Sequence, residues 1–244
     1  MSTKSRVILI LILATIVAGL FIAASSLNSI VKKGVETVGP QIAKVPVNLE
    51  SVNIVLLTGS AKVKGLVVGN PEGYKAPQAI SIGLAEVGVN PFSIMSDKIV
   101  VRTIHVIDPE LTFEGGLSGN NLSKIMENLN ANAKTGGKPA TNSATPAASQ
   151  SGKKFQVDDF LVTGAKVHVH LTDLGKEMTL TLPDVRLADL GKGTDGLTPT
   201  DLSRAMLKAV SAATIKAISA NVSDLGKPVD VDKIKKGIGG LLGK

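Results

Sequence analysis

The first strong pattern in the chain is an apolar segment, Val7–Ala24, in which Thr15 is the only polar side chain and no residue is charged. A transmembrane helix needs about 20 apolar residues, with roughly 17 as the lower limit. The segment therefore predicts a single membrane span, and a cleaved signal peptide ending near Ala23–Ser25 is the alternative. Because Lys4 and Arg6 precede it, the positive-inside rule puts the N-terminus in the cytoplasm and the remaining chain across the membrane.

Beyond this segment the apolar positions first recur with the spacing of a helix and then alternate as in a β-strand. Apolar residues from Leu27 to Val38 recur every three, four or seven positions, which predicts a helix that ends at Gly39-Pro40. Alternation then predicts short strands, and its slip near Ala85-Glu86 predicts a bulge. The predicted strands are Val45–Asn48, Val52–Leu57, Ala61–Val68, Ile80–Val89, Ile99–Ile107, Glu110–Glu114, Phe155–Val162, Ala165–Thr172, Glu177–Leu182 and Val185–Leu187.

Two more helices are predicted among these strands. Leu122, Ile125, Met126 and Leu129 share one helical face. Thr198-Pro199-Thr200-Asp201 combines a capping threonine, a proline at the first helical position and an early acidic residue, so a helix begins there and extends to about Val222. The predicted fold class is α+β: an N-terminal transmembrane helix followed by antiparallel β-meander sheets with a few packing helices.

A segment rich in Gly, Pro, Ser and Thr divides the body of the chain, and it predicts a flexible linker. The predicted organisation is residues 1–6 as a cytoplasmic tail, 7–24 as the anchor, 25–133 as a first β-meander unit with helices, 134–154 as the linker, 155–191 as a second β-meander unit and 192–244 as a C-terminal helical region.

Composition narrows the possible functions. The 244 residues include five Phe, one Tyr and no Trp, which excludes a stacking platform for single-stranded nucleic acid. The absence of cysteine excludes disulfides, thiolate metal sites and cysteine nucleophiles. A net charge of +7 favours anionic partners such as lipid headgroups. We expect membrane lipids as partners, with an envelope protein or a second copy of the chain as further possibilities, and no nucleic acid.

Candidate catalytic and cofactor motifs are weak. Gly191–Gly196 matches G-x-G-x-x-G, but the predicted helix begins only after the motif ends, so a flexible loop is the expected structure. His168 and His170 share one face of a strand, where solvent-facing side chains are favoured over metal ligands. Asp158 and Asp159 are adjacent and point to opposite faces, so they cannot form a dyad. We therefore expect no enzyme activity, no cofactor and no metal.

An ordered series of motifs follows the apolar segment: Gly65–Tyr74 around an Asn-Pro-Glu-Gly turn, then Ile80–Leu84, then Ser96–Leu111. The series resembles the short members of the AsmA-like family of envelope proteins in Gram-negative bacteria. The resemblance covers roughly residues 1–130 and continues more weakly over 155–215. It implies an inner-membrane anchor, a periplasmic β-rich body related to bridge-like lipid transfer proteins, and a role in outer-membrane biogenesis or lipid handling, without catalytic residues.

The resemblance and the apolar strand pattern together predict a groove that buries acyl chains along one face of the sheet. Burial of this kind contributes about 0.8 kcal/mol per CH₂ group. The alternative is a membrane-anchored scaffold that binds a protein partner and carries no lipid. The candidate groove-lining residues are Ile80, Ile82, Leu84, Ile99, Val101 and Ile104.

Overall fold

The computed structural model describes residues 26–116, 119–134, 152–171, 176–193 and 195–223. Within these ranges the chain forms three α-helices, a short 3₁₀ helix and nine strands. They are α1 (26–43), β1 (Val47–Val55), β2 (Ser60–Gly69), β3 (Gln78–Val89), the 3₁₀ helix (Pro91–Met95), β4 (Lys98–Ile107), β5 (Glu110–Gly115), α2 (Asn121–Lys134), β6 (Lys154–Thr163), β7 (Lys166–Leu171), β8 (Lys176–Thr181), β9 (Val185–Leu190) and α3 (Pro199–Ser223).

All nine strands belong to one sheet. The strands β1, β2 and β3 pair in sequence and are antiparallel. The other side of β3 pairs with β4 along one half and with β5 along the other half. Beyond β4 lie β6 and then β9, and beyond β5 lie β7 and then β8. The first and second halves of the chain therefore share one layer.

The predicted antiparallel meander is wrong for the centre of this sheet. Two of its pairings are parallel, β4 with β6 and β5 with β7. Parallel neighbours need a crossover that returns the chain to the starting edge, and this crossover includes α2, which lies between β5 and β6 in the sequence. The second predicted unit therefore adds its strands directly to those of the first.

The predicted fold class is also corrected at its N-terminal element. In the described part of the chain, no helix combines the length and the apolar character that a membrane crossing requires. The predicted span, residues 7–24, lies outside the described ranges, as does most of the predicted linker at 134–154. The described portion of the predicted C-terminal region consists mainly of α3, which begins at Pro199 as its capping sequence predicts and extends to Ser223, one residue past the predicted end.

A crease crosses the sheet where every long strand changes the side on which its alternate residues are buried. On β1 the buried positions are Leu49 and then Val52, a step of three residues where the pleat alone gives two. The neighbouring strands make the same step at paired positions. The steps between buried residues are Pro109 to Val106, Ala165 to Val162 and Leu182 to Val185. The corresponding steps on β2 and β3, Leu66 to Val63 and Ile82 to Ala85, are between half-buried residues except for buried Ala85.

This crease also explains why β4 and β5 are separate strands. The pairs Leu84–Ile107 and Ile80–Leu111 belong to one continuous register, so β4 and β5 form a single line interrupted at the crease. The pairs β6 with β7 and β9 with β8 are aligned in the same way. The bulge predicted near Ala85-Glu86 is wrong in position, because the pairing of β3 with β4 is continuous from Leu84 to Gly88 and shifts only between Gly88 and Val89. The change of alternation itself lies at Gly83–Leu84, and it is one part of a feature that spans the whole sheet.

Helices α2 and α3 pack against each other and against one face of β5, β6, β8 and β9, which we call the helix face. Phe113, Val157, Val167 and Val169 lie beneath them at 0% exposure. Helix α2 contributes the four apolar residues predicted for it, all at most 3% exposed. We call the opposite side of the sheet the polar face, because His168 and His170 project from it.

Helix α1 covers the free edge of β1. Asn28 Oδ1 accepts a hydrogen bond from the Ile54 amide, and Glu36 Oε1 accepts one from the Leu49 amide. Lys32 Nζ donates to the Leu49 carbonyl. An edge strand otherwise offers these groups to other chains. The predicted stop at Gly39-Pro40 is wrong, because the helix continues to residue 43. The glycine at 39 lets α1 approach Val47 of β1 closely, since a Cβ there would lie 3.0 Å from the Val47 Cβ.

Candidate lipid-contact surface

A row of aliphatic side chains on the helix face stays only half-buried. It lies on β2, β3 and β4, whereas the described contacts of α2 and α3 are concentrated on β5, β6, β8 and β9. Its side chains pack against the edge of the core and retain partial exposure to solvent. We call this row the aliphatic strip, and it consists of Val63, Val68, Ile80, Ile82, Val87 and Ile104.

The structure brings together five of the six predicted groove residues. Ile80, Ile82 and Ile104 belong to the aliphatic strip. Ile99 is half-buried on the same face, and Val101 lies in the core at 6% exposure. These five residues share the helix face.

Leu84 is the exception among the six. Simple alternation puts it beside Ile82, but the three-residue step at the crease turns it to the polar face. The burial pattern confirms this, because Ile82 packs against the core and the next core residue on β3 is Ala85. The sixth predicted residue is therefore separated from the other five by the thickness of the sheet.

The polar face carries a groove of about 630 Å³ above β2, β3, β4 and β6. Its charged side chains are paired. Lys62 Nζ is 3.0 Å from Glu86 Oε1, and Arg186 forms two hydrogen bonds of 2.7 and 3.0 Å with the carboxylate of Asp159. That carboxylate raises the pKa of Arg186 through a hydrogen bond and through its charge. Such pairing leaves this groove poorly suited to binding a charged ligand.

The histidines singled out in the sequence have ordinary hydrogen-bond partners. His168 Nδ1 lies 3.2 Å from Thr179 Oγ1, and His170 Nδ1 lies 3.1 Å from Glu177 Oε1. The two side chains are 41% and 39% exposed, which confirms that they face solvent. His105 Nε2 is 2.9 Å from Thr163 Oγ1. Across the ranges described, no three His, Asp or Glu side chains are grouped in a way that fits a metal ion.

The glycine-rich motif serves a close backbone contact. Gly191 and Gly196 flank the backbone of Phe155, where a Cβ would lie 2.6 and 3.1 Å from the Phe155 carbonyl oxygen. Phe155 and Leu197 exchange backbone hydrogen bonds of 2.8 and 2.7 Å. Helix α3 begins only at Pro199, after the motif has ended. The glycines therefore hold the loop against β6, in agreement with the expected loop.

Sequence reasoning missed one prominent surface. Leu57, Phe92 and Met95 are 94%, 90% and 89% exposed, although each is a large apolar residue. The sequence pattern predicts Leu57 at the end of a strand and predicts no strand or helix at Phe92 or Met95. The available signal was the presence of large apolar side chains inside turn segments, where polar residues are usual.

Comparison of the chain with protein-family models, with curated proteins and with solved structures gave no match. The resemblance to AsmA-like proteins therefore stays a prediction from the sequence.

Proposed function

We propose that the protein is a non-catalytic lipid-handling module of the bacterial cell envelope, with its β-rich body on the periplasmic side of the inner membrane. The aliphatic strip is the observation that supports this role most directly. It provides an apolar surface that is already ordered by the sheet and lies beside the helices. An acyl chain lying along it would exclude water from side chains that the described part of the fold leaves half-exposed.

The dimensions of the strip fit this ligand. Seven residues separate Ile80 from Val87 along β3, which corresponds to about 23 Å at about 3.3 Å per residue. Each methylene group buried there contributes about 0.8 kcal/mol, without any need for a specific polar contact. The surface therefore suits extended hydrocarbon chains and does not discriminate strongly among headgroups.

Photocrosslinking tests this proposal in the full-length protein. A phospholipid with a diazirine in its acyl chain is supplied in mixed micelles, and adducts are mapped by peptide mass spectrometry. We expect adducts on β2, β3 and β4, from residues of the aliphatic strip. Mapping is essential because the apolar segment 7–24 would itself react with lipid, so total labelling carries no information about the strip.

The two sides of the crease supply a matched pair of variants. Ile82→Gln puts a polar side chain into the strip, and we expect it to reduce adducts on β2–β4 several-fold. Leu84→Gln makes the same kind of change on the polar face, and we expect it to leave those adducts unchanged. Equal loss in both variants, or adducts confined to residues 7–24, would contradict the proposal. Stoichiometric protein crosslinks without strip adducts would favour the scaffold alternative instead.

A further inference from the structure

We propose that one end of the sheet docks directly onto an anionic lipid bilayer through Leu57, Phe92 and Met95, which we call the apolar tip. The inference concerns where the body contacts a membrane, and it is independent of whether the aliphatic strip holds lipid. Each of the three side chains is at least 89% exposed. Single exposed apolar residues are common, whereas several large ones on adjoining loops indicate a contact surface.

The two loops that carry the tip are fastened together. Val89 donates its amide to the Gly59 carbonyl at 2.6 Å, and a Cβ at Gly59 would lie 2.9 Å from the ring of Pro91. Arg102 bridges the loops by donating to the carbonyls of Thr58 and Val89 at 3.1 and 3.0 Å. The turn carrying Leu57 and the 3₁₀ helix carrying Phe92 and Met95 therefore form one surface.

The 3₁₀ helix is itself held in place. Asn90 Oδ1 accepts from the Phe92 amide at 3.1 Å, which caps the start of the helix. Ser93 Oγ donates to the Asn90 carbonyl and accepts from the Val100 amide. Lys153 Nζ donates to the Ser96 carbonyl at 2.7 Å. These contacts satisfy the polar groups of the loop while its two large apolar side chains point outward.

Charge identifies the partner as an anionic surface. The segments that build this end of the sheet are residues 55–60, 90–102, 152–154, 189–193 and 195–197, and the last of these lies against Lys98 and Lys154 through Gly196. They contain five basic residues against three acidic ones, Asp97, Asp189 and Asp195, and Lys192 is paired with Asp189. The other four basic residues are Lys98, Arg102, Lys153 and Lys154, so this end keeps an excess of positive charge. Apolar side chains that enter the headgroup region beside basic residues are the usual arrangement of proteins that bind the surface of anionic membranes. The net charge of +7 acts in the same direction.

The absence of cysteine allows a site-specific test in the full-length chain. Phe92→Cys and Met95→Cys are each labelled with the environment-sensitive dye NBD and mixed with vesicles. A probe at the tip is required because segment 7–24 is apolar and would dominate any measurement of whole-protein binding. We expect NBD fluorescence to rise roughly twofold and shift to the blue on vesicles of phosphatidylethanolamine and phosphatidylglycerol. On phosphatidylcholine vesicles we expect a much smaller change.

The control position is Val38→Cys. Val38 is a 42% exposed aliphatic residue on α1, next to Gly39, which contacts β1 at the end of that strand far from the tip. We expect no change in its NBD fluorescence on either kind of vesicle. Lipid-attached nitroxide should quench the two tip probes and not this one, which separates insertion into lipid from contact with another protein.

A pair of charge variants tests the electrostatic part. Lys98→Gln with Lys154→Gln should raise the lipid concentration for half-maximal signal about fivefold per lysine removed. The matched control, Lys64→Gln with Lys166→Gln, changes the same net charge elsewhere and should have little effect.

The proposal would be overturned if the NBD fluorescence of the two tip probes were the same on anionic vesicles as in buffer. A signal that is insensitive to nitroxide lipid and rises with protein concentration would also overturn it, since that result means self-association. Adducts on the aliphatic strip are read separately, so failure of the tip and failure of lipid handling are distinguishable.

Discussion

Gly164 stands directly against Asp108 where the crease crosses the parallel strands, and a Cβ at position 164 would overlap Asp108 Oδ1. The two residues both have positive φ angles, +65° for Gly164 and +47° for Asp108. Between them Asp108 donates its amide to the Thr163 carbonyl at 2.9 Å, and Lys166 donates to the Pro109 carbonyl at 2.9 Å. The crease is thus a hydrogen-bonded turn of the whole sheet, maintained by the lack of a side chain at 164.

We expect Gly164→Ala to lower the free energy of unfolding by about 2 kcal/mol, because the left-handed conformation and the overlap both disfavour a methyl group. Urea denaturation of the variant and of the wild-type chain measures this difference.

Gly83→Ala is the matched control for that experiment. Gly83 lies at the same crease on β3 and has no positive φ, and a Cβ added to it would have no other atom within 4 Å. We expect its stability to match the wild type within about 0.5 kcal/mol. Equal destabilisation by the two variants would mean that the crease tolerates no side chain anywhere, and the specific role of the Gly164–Asp108 contact would be refuted.

The crease also shows which features of the fold can be predicted from the sequence pattern and which cannot. Alternation located the strands, and its slip near Ala85-Glu86 marked one strand's passage through the crease. The same step on the other strands cannot be detected from the sequence, since Pro109 and Ala165 are not strongly hydrophobic. Parallel pairing of β4 with β6 was also beyond reach, because it depends on contacts between residues more than fifty positions apart. Patterns within one strand carry no information about which partner lies beside it.

The residues of the candidate surfaces were likewise predicted from the sequence only in part. Ile80 and Ile82 were found by periodicity, because both lie on one side of the crease. Simple alternation puts Ile104 opposite Ile99 and Val101, and it shares their face because the pairing of β3 with β4 shifts between Gly88 and Val89. Leu84 was misplaced because the period fails at the crease. Phe92 and Met95 follow no period, and only the fold shows that their loop meets the turn that carries Leu57.

The hydrogen bonds between α1 and β1 predict a specific dependence of stability on pH. The hydrogen bond from Lys32, followed by that from the Leu49 amide, holds the pKa of Glu36 below its ordinary value of 4.5. A carboxyl whose pKa is lower in the folded state stabilises the fold above its unfolded pKa and loses that effect as pH falls through the folded value. We expect Glu36→Gln to be less stable than wild type at neutral pH, with a difference that shrinks as pH falls below 4.5 and disappears below the folded pKa of Glu36.

Denaturation curves across acidic and neutral pH measure this difference. Lys32→Gln removes the larger cause of the lowered pKa, so in its background Glu36→Gln should have a smaller effect on the pH dependence. A pH-independent difference between wild type and Glu36→Gln would show that the carboxylate acts only through packing.

Thr198 is the capping residue of α3 both in the sequence pattern and in the structure, and its replacement gives a testable prediction. Thr198 Oγ1 accepts from the Asp201 amide at 3.0 Å and donates to the Asp201 carboxylate at 2.7 Å. We expect Thr198→Ala to lower the free energy of unfolding by about 1 kcal/mol, the usual cost of losing such a cap. Thr198→Ser keeps the hydroxyl and should remain close to wild type in guanidinium denaturation. If serine and alanine destabilise equally, the methyl group rather than the cap is responsible.

Glu114 is the buried carboxylate that fixes the Asn-Pro-Glu-Gly turn, the central motif of the family resemblance. Although only 6% exposed, it accepts hydrogen bonds from the amides of Lys75 and Ala76 at 2.7 and 2.8 Å and from Asn70 Nδ2 at 3.3 Å. Gln offers one acceptor oxygen where the carboxylate offers two, so Glu114→Gln leaves a buried amide without a partner. We expect a loss of about 1–3 kcal/mol in the free energy of unfolding.

Hydrogen exchange locates that loss within the chain. In Glu114→Gln the amides of Lys75 and Ala76 should exchange faster, because their acceptor is weakened, while amides in the centre of β7 keep their protection relative to global stability. Glu127→Gln is the matched control: its carboxylate is 67% exposed on α2 and pairs with Lys124 at the surface, so its stability should change by less than about 0.5 kcal/mol. Unchanged exchange at Ala76 would mean that the turn is held by Asn70 and Asn121, whose side chains are hydrogen-bonded to each other at 2.9 Å, and that Glu114 is not required.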